Sequence, residues 1–309
     1  DAGSALGQPS RFVRSNDYGR TWAKPELSPI YAHRACVKRL QNGRLMASFR
    51  NAWGTPGTCV FVFDATEKFT YGPNSFLWDP QRCRIENDAM VLDTGEGPQQ
   101  VAMFTLYPME DDESSLDLEF ELAVERAGRN ACSVAAGAWI RFLPNRVELA
   151  DRPTEGFDID ATQFHRYRVI HESGRVSITV DGEEKLNVPD KDIFTRLVRF
   201  GSKGPRDGQT TGVSKWRSFR ASVQNRRDHS VEWAWTPASG FPDQFQRDRT
   251  VCLEPNGSMS SGDSGYSGWD QMPDGSIVVV DYTTTKAGLS HPILRSYRIG
   301  GEMLPEAFE

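Results

Sequence analysis

Aromatic platforms are the first candidates for chemistry in this sequence, because the axial C–H faces of a pyranose ring lie flat on an indole. Five of the eight tryptophans are candidates for sugar-stacking platforms, namely Trp53, Trp78, Trp233, Trp235 and Trp269. Most of the eight are nonetheless expected in the buried core. The pair Trp233 and Trp235 alternates onto one face of a strand, which fits a ligand platform or a buried seam.

Metal-ligating and nucleophilic motifs are sparse. The five histidines show no H-x-x-x-H or comparable ligand spacing, so neither a histidine metal site nor a cofactor is expected. Calcium is the alternative, because Asp111-Asp112 and Asp158-Ile159-Asp160 offer oxygen ligands, although neither has the ligand count of an EF-hand loop. No P-loop, Rossmann glycine pattern, G-x-S-x-G or Cys/His nucleophile signature occurs.

Charge and composition exclude several classes of partner. The 309 residues carry 36 Lys+Arg against 42 Asp+Glu, a net charge of −6, so no overall field attracts polyphosphate or anionic lipid. We therefore expect neither a nucleic-acid nor a membrane partner. The longest apolar runs, such as 276–280, are strand-sized. Five cysteines, without any C-x-x-C, argue against a zinc site and a disulfide-dense scaffold, and one or two disulfides remain open.

Apolar residues recur with the period of two that is typical of strands. Residues 116–124 alternate apolar side chains with mostly acidic ones, and 176–180 lead into Asp181-Gly182, a two-residue hairpin signal. Together with 45 glycines and prolines, this pattern predicts an all-β chain in which residues 62–225 form an antiparallel jelly-roll sandwich.

The flanks, residues 1–61 and 226–309, share an internal repeat of a polar Asn-Gly or Asp-Gly turn followed by an apolar strand, at 40–49 and 272–280. Two distant copies are expected when a separate domain is inserted into a repetitive β structure. The flanks are long enough for about three propeller blades, whereas closed propellers have about four to eight. Either the chain is a piece of a longer one, or further copies complete the ring, or the flanks form a β platform.

Residues 15–22 read Ser-Asn-Asp-Tyr-Gly-Arg-Thr-Trp, which resembles the Asp-box, S-x-D-x-G-x-T-W, of sialidase-like β-propellers. The motif implies a structural role for Asp17, whose carboxylate accepts hydrogen bonds within a tight turn, with Gly19 at positive φ and Trp22 packed between sheets. The fold class implied is therefore partial propeller blades interrupted by the jelly roll.

The segment 265–282 resembles the last catalytic blade of sialidases, in which a tyrosine of a Tyr-Ser motif is the nucleophile. Tyr266 and Ser267 match that motif, whereas Val280-Asp281-Tyr282 replaces the family's Leu-Tyr-Glu. A tyrosine serves in such enzymes because the substrate carboxylate repels an anionic nucleophile, and arginines bind that carboxylate. The resemblance thus implies Tyr266, Asp281 and Asp263 as catalytic residues. The substrate-binding candidates are Arg34, Arg249, Arg295, Asp243 and Trp269.

The middle region resembles a laminin-G or concanavalin-like jelly roll, as carried by many carbohydrate enzymes. Together the resemblances imply a sialidase-like glycoside hydrolase, secreted or periplasmic, acting on a terminal acidic sugar of an extracellular polysaccharide. One alternative is a non-catalytic carbohydrate-binding protein in which the jelly roll recognises the sugar. Another is a propeller-type polysaccharide lyase, in which a Tyr or His base acts on a uronate.

Overall fold

The computed structural model describes residues 6–51, 57–77, 80–95, 101–204, 208–253, 266–284 and 292–300. Nearly all regular structure in these ranges is antiparallel β-strand, which confirms the predicted all-β class. Beside the strands there are one short helix, α1 (Gln244–Arg247), and two 3₁₀ turns (Pro80–Arg82 and Pro237–Ser239).

The first twelve strands are β1 (Arg11–Phe12), β2 (Glu26–Leu27), β3 (Ala32–Arg39), β4 (Leu45–Asn51), β5 (Gly57–Phe63), β6 (Asn74–Leu77), β7 (Cys83–Glu86), β8 (Ala89–Asp93), β9 (Ala102–Leu106), β10 (Ser115–Ala127), β11 (Ser133–Gly137) and β12 (Trp139–Leu143). The remaining twelve are β13 (Arg146–Leu149), β14 (Gly156–Asp158), β15 (His165–Glu172), β16 (Arg175–Val180), β17 (Glu183–Pro189), β18 (Thr195–Gly201), β19 (Gly212–Gln224), β20 (Val231–Trp235), β21 (Thr250–Cys252), β22 (Gly268–Gln271), β23 (Ile277–Thr284) and β24 (Pro292–Ile299).

The chain divides into two compact units. One contains residues 9–72 together with 243 onward, and the other contains 6–8 and 73–242. The sequence-based limits of the inserted domain, 62 and 225, differ from these for a physical reason. Strand β5 is apolar like a sandwich strand, yet it pairs with β4 and β21 in the first unit, whereas β20 pairs with β19 in the second.

The inserted unit, residues 73–242, is a sandwich of two antiparallel sheets. One has the order β17-β16-β15-β10-β19-β8-β7, with β20 also on β19, and the other has the order β14-β13-β12-β11-β18-β9-β6. Their inner faces share one apolar core, which includes the alternating residues Leu116, Leu118 and Phe120 of β10. The predicted hairpin joins β16 to β17, where Asp181 and Gly182 both have positive φ, as a type I′ turn requires.

The first unit contains a four-stranded sheet, β21-β5-β4-β3, and a three-stranded sheet, β22-β23-β24. Apolar side chains lie on both faces of the four-stranded sheet, which explains why every residue of β5 is buried. Val60 and Val62 on one face pack with Ile277 and Val279 of the three-stranded sheet. These two sheets position the candidate site.

The predicted turn chemistry of Asp17 is present in the first unit. Its Oδ2 accepts a hydrogen bond from the Thr21 hydroxyl at 2.7 Å, and its Oδ1 accepts others from the Thr21 N–H at 2.9 Å and the Ser15 hydroxyl at 2.7 Å. Gly19 has a φ of 83°. The expectation for Trp22 is wrong, because its side chain is 61% exposed instead of packed between sheets.

Candidate functional site

A β-bulge near the start of β3 gives Arg34 its position. His33 pairs with Arg50 and Cys36 with Ser48, so two residues of β3 lie opposite a single residue of β4. Arg34 adopts a φ of 51°, a strained conformation for a residue with a Cβ, and its side chain is exposed. Burial, together with the charges of Arg50 and Arg34, lowers the pKa of His33, so the positive charge here comes from the arginines.

The Arg34 guanidinium lies on the ring of Tyr266, with 4.0 Å between its central carbon and the ring centroid. Tyr266 in turn stacks on Tyr282, with ring centroids 5.3 Å apart and planes inclined by 20°. The Tyr266 side chain is 43% exposed. We call Arg34, Tyr266 and Tyr282 the outer-face cluster. Within the described part of the chain, neither the Tyr266 hydroxyl nor the Arg34 guanidinium has a hydrogen-bonded or ion-paired partner.

The hairpin register accounts for the tyrosine pair. Strands β22 and β23 pair Gly268 with Val280, and the same register continued by two residues sets Tyr266 opposite Tyr282. Side chains opposite each other on antiparallel strands lie on one face and contact each other. The hairpin therefore presents both rings together on the face of the three-stranded sheet that points away from the apolar core.

A second polar cluster lies on the other face of the same sheet. Asp281 is 1% exposed and accepts two hydrogen bonds from Arg295, Nε to Oδ1 at 3.2 Å and Nη2 to Oδ2 at 3.1 Å. The Thr58 hydroxyl of β5 also donates to Oδ2. Nearby, the buried Ser267 hydroxyl hydrogen-bonds to Ser48 at 3.0 Å. These five residues form the inner-face cluster. Burial raises the pKa of Asp281, and the Thr58 hydrogen bond opposes that shift.

Strand alternation separates the residues that the resemblance would combine. Asp281 and Tyr282 are neighbours on β23, so their side chains point to opposite faces, and Tyr266 shares the face of Tyr282. Asp281 is therefore not the base for a Tyr266 nucleophile, and Arg295 is held by Asp281 instead of facing a substrate carboxylate. The structure brings predicted site residues together in two separate pairs, Arg34 with Tyr266 on the outer face and Asp281 with Arg295 on the inner face.

Arg249 and Asp243 lie elsewhere in the first unit. Arg249 pairs with Glu67 and lies 4.0 Å over the Phe245 ring. The next residue, Thr250, pairs with Phe61 of β5. Phe61 lies three residues from Thr58, which is roughly 10 Å along the strand. Asp243 is 5% exposed and accepts a hydrogen bond from Arg247 at 2.7 Å within the turn of α1. Both expected substrate-binding residues therefore support local structure.

The described tryptophans among the predicted sugar-stacking platforms are buried or packed against a core. Trp269 is 3% exposed, packs in the core between the two sheets, and donates a hydrogen bond from Nε1 to the Cys36 carbonyl at 3.1 Å. Trp235 is 4% exposed and Trp233 packs against the core of the inserted unit, so no sugar can lie on Trp269 or Trp235. Three predicted residues, Trp53, Trp78 and Asp263, lie outside the described residues.

Sequence analysis missed one residue of each cluster, Tyr282 of the outer-face cluster and Thr58 of the inner-face cluster. The Asp274-Gly275 turn could have indicated Tyr282, because strand pairing extended outward from this turn places residue 282 opposite residue 266. Thr58 has no comparable signal, since its contact with Asp281 joins two different sheets.

Three of the four acidic residues considered for calcium have protein partners. Asp158 pairs with Arg146 at 2.8 Å, Asp160 with the Thr162 hydroxyl at 2.5 Å, and Asp111 with Arg227 at 3.0 Å. Within the described ranges, no group of three or more His, Cys, Asp or Glu side chains is placed to hold a metal ion. Among those same residues, no helix has the length and apolar character needed to cross a membrane.

Comparisons with known proteins give distant structural likenesses. No protein-family model matches the chain, and no curated protein matches it either. The solved structures that resemble it include an alginate lyase of polysaccharide lyase family 7, at 11% identity and a TM-score of 0.31, over 56% of this chain and 86% of that one. A sialidase matches at 10% identity and a TM-score of 0.36, over 69% of this chain but 30% of the sialidase. A xylan β-1,4-xylosidase from Bacillus halodurans C-125 matches at 9% identity and a TM-score of 0.31, over 70% of this chain and 60% of that one. Likenesses this distant assign no function.

Proposed function

We propose that the outer-face cluster binds a saccharide that bears a carboxylate. The observation that carries this proposal is the exposed Arg34 guanidinium stacked on Tyr266. The contact with the ring uses none of the N–H donors of the guanidinium in a hydrogen bond, and no described residue accepts from them. Two of these donors match the two oxygens of a carboxylate.

The two tyrosines complete the recognition surface. Stacking of Tyr266 on Tyr282 fixes both rings, so little conformational freedom is lost when a ligand binds. Their exposed edges offer apolar contact to the C–H groups of a pyranose, and the Tyr266 hydroxyl can donate to or accept from a sugar hydroxyl. A cation beside aromatic rings and a hydroxyl is the set of groups that an acidic sugar requires.

Binding is tested by titrating the protein with uronate- or sialate-containing oligosaccharides and with neutral oligosaccharides of the same length, using isothermal calorimetry. We expect affinity for the acidic ligands alone. Arg34→Ala removes a charge-assisted bidentate contact worth about 1.5–3 kcal/mol, which is a loss of roughly 10- to 100-fold in affinity. Arg298→Ala is the matched control, because Arg298 is an exposed arginine of β24 that pairs with Asp274.

Equal binding of neutral and acidic ligands, or an equal loss in Arg34→Ala and Arg298→Ala, would contradict the proposal. Tyr18 provides a second control, because it is a fully exposed tyrosine on the Asp17 turn. Tyr18→Ala should leave the affinity unchanged, whereas Tyr266→Ala should reduce it about as much as Arg34→Ala does.

Glycoside hydrolysis with Tyr266 as the nucleophile is the second candidate. It is favoured by the exposed Tyr266 hydroxyl, which bonds to no described residue and lies beside a cation. The residue that would accept its proton is not Asp281, which lies on the other face of the sheet.

If the chain is a hydrolase, it releases reducing ends from an acidic glycan, and Tyr266→Phe abolishes release while binding persists. Release of an unsaturated product that absorbs in the ultraviolet would favour the lyase instead. If the wild-type protein binds but releases neither product, its role is binding.

A further inference from the structure

Two of the five cysteines lie directly opposite each other on neighbouring strands. Cys59 of β5 pairs with Cys252 of β21 in the antiparallel register. Cys59 is 1% exposed, whereas Cys252 is half-buried and accessible from solvent. Both side chains lie on the same face of the four-stranded sheet, in the cluster that contains Phe61 and Phe63.

The hydrogen-bond pattern shows which type of pair the cysteines form. The next residue pair along the ladder, Thr58 and Leu253, is hydrogen-bonded, with the Leu253 N–H donating to the Thr58 carbonyl at 2.8 Å. Hydrogen-bonded and non-hydrogen-bonded pairs alternate along an antiparallel ladder, so Cys59 and Cys252 form a non-hydrogen-bonded pair. The Cα atoms of such pairs are about 4.5 Å apart, which lies within the range of roughly 4.4–6.8 Å that disulfides span.

The two thiols already interact. Their mutual interaction lowers the pKa of Cys252 and raises the pKa of Cys59, which burial raises further. The thiolate of the more exposed cysteine is therefore favoured. Cys132 differs, because burial raises its pKa to about 12. The thiolate is the reactive form of a cysteine, so Cys252 is the one poised to react.

We propose that Cys59 and Cys252 are the site of a cross-strand disulfide. Residues 60–251 lie between them and include the whole inserted unit, 73–242. The bond would therefore fasten the strand that precedes the insertion, β5, to the first strand that follows it, β21. A cross-link across so long a segment removes much of the freedom of the unfolded chain.

A small-molecule disulfide such as oxidised glutathione is a sufficient oxidant. The Cys252 thiolate attacks one glutathione sulfur, which forms a mixed disulfide and releases one glutathione thiolate. The Cys59 thiolate then attacks the Cys252 sulfur and displaces the second glutathione. Overall the two cysteine thiols lose two electrons and two protons, and one glutathione disulfide becomes two glutathione thiols.

Peptide mapping of the full chain tests the proposal without any substitution. The protein is folded under reducing conditions, oxidised with excess glutathione disulfide, alkylated and digested without reductant. We expect a peptide that links residues 59 and 252 and that disappears after reduction, whereas Cys36, Cys83 and Cys132 are recovered unlinked to one another. Recovery of Cys59 and Cys252 as separately alkylated or separately glutathionylated residues, or linkage of either one to Cys36, would overturn the proposal.

Thermal unfolding gives a second readout. Oxidation should raise the Tm of the first unit, which contains both cysteines, by roughly 10 °C, because a disulfide that closes a long segment restricts the unfolded chain. Cys252→Ser should abolish this difference between the oxidised and reduced protein. Cys36→Ser is the matched control, because Cys36 is another half-buried cysteine of the same unit, and it should keep the difference. A rise in Tm that persists in Cys252→Ser would also contradict the assignment.

Discussion

The polar groups on the two faces of the three-stranded sheet β22-β23-β24 differ in burial and in whether they have partners within the protein. On the inner face, Asp281 is buried and hydrogen-bonded to both Arg295 and Thr58. On the outer face, Arg34 and Tyr266 are exposed and contact each other through a ring face. Polar groups whose partners lie within the protein hold the fold together, whereas exposed groups with unused donors are available to a ligand.

Single sequence segments supply residues to both faces of this sheet. Tyr266 and Ser267 are adjacent, as are Asp281 and Tyr282, and strand alternation sends one member of each pair to each side. A motif that reads as one active site along the chain therefore divides into a structural cluster and a candidate binding cluster. The same division can be tested by substituting each face in turn.

The largest expected effect is the loss of the buried carboxylate. Asp281→Ala leaves the Arg295 guanidinium and the Thr58 hydroxyl without their shared partner, and we expect it to lower the free energy of unfolding by about 3 kcal/mol. Val280→Ala is the matched control, because Val280 is the preceding residue of β23 and is 43% exposed. Urea unfolding followed by tryptophan fluorescence measures both. Similar losses in the two variants would show that the inner face is not the structural one.

A smaller effect is expected at the buried serine pair. Ser267→Ala removes the hydrogen bond to Ser48 and should lower the free energy of unfolding by about 1 kcal/mol. The double variant with Ser48→Ala should cost less than the sum of the two single changes, because the second change removes a hydroxyl that has already lost its partner. Additive losses in this double-mutant cycle would indicate that the two hydroxyls do not act as a pair.

The outer face should tolerate change far better. Arg34→Gly removes the ring contact but relieves the positive φ, so the free energy of unfolding should stay within about 1 kcal/mol of the wild type. The affinity for an acidic saccharide should nevertheless fall by roughly 10-fold or more. A loss of stability as large as that of Asp281→Ala would place Arg34 among the structural residues.

The smallest expected effect is a change in the pKa of Asp17, an exposed aspartate that differs from the buried Asp281. Asp17, which is exposed, has its pKa lowered to about 2, chiefly by the Thr21 hydroxyl and N–H, whereas burial raises the pKa of Asp281. Because the pKa of Asp17 is lower in the folded chain, its stabilising effect is present above the ordinary value of 3.8 and is lost as the pH falls towards 2. Thr21→Val should raise the pKa of Asp17 towards 3.8 in a carboxyl-carbon NMR titration. An unchanged titration would mean that the Thr21 hydroxyl does not lower the pKa of Asp17.

Much of the fold could be predicted from the sequence, because alternation over 116–124 and the Asp181-Gly182 turn are local signals. The limits of the inserted unit could not. The apolar run of β5 reads like a sandwich strand, and only its pairing with β4 and β21 assigns it to the other unit. Such pairings join residues far apart in the chain, and no local pattern specifies them.

The candidate site was predicted in part, and the reason lies in strand alternation. Arg34 and Tyr266 came from the resemblance and do meet. Trp269 and Asp281 were assigned to a substrate and to catalysis, although each shares the inward face of Val279, which alternation alone would have indicated. The partner of Asp281, Thr58, lies on another sheet and could be found only in three dimensions.

Whether the outer-face cluster binds a ligand is best measured by an NMR titration of the tyrosine ring signals with a carboxylate-bearing oligosaccharide. We expect the signals of Tyr266 and Tyr282 to shift together and saturate, along with the Arg34 Nε–H, while those of the exposed Tyr18 stay unchanged. If Tyr266 and Tyr282 do not respond at ligand concentrations that saturate the protein, or if Tyr18 shifts equally, the outer face of this sheet is not the binding site.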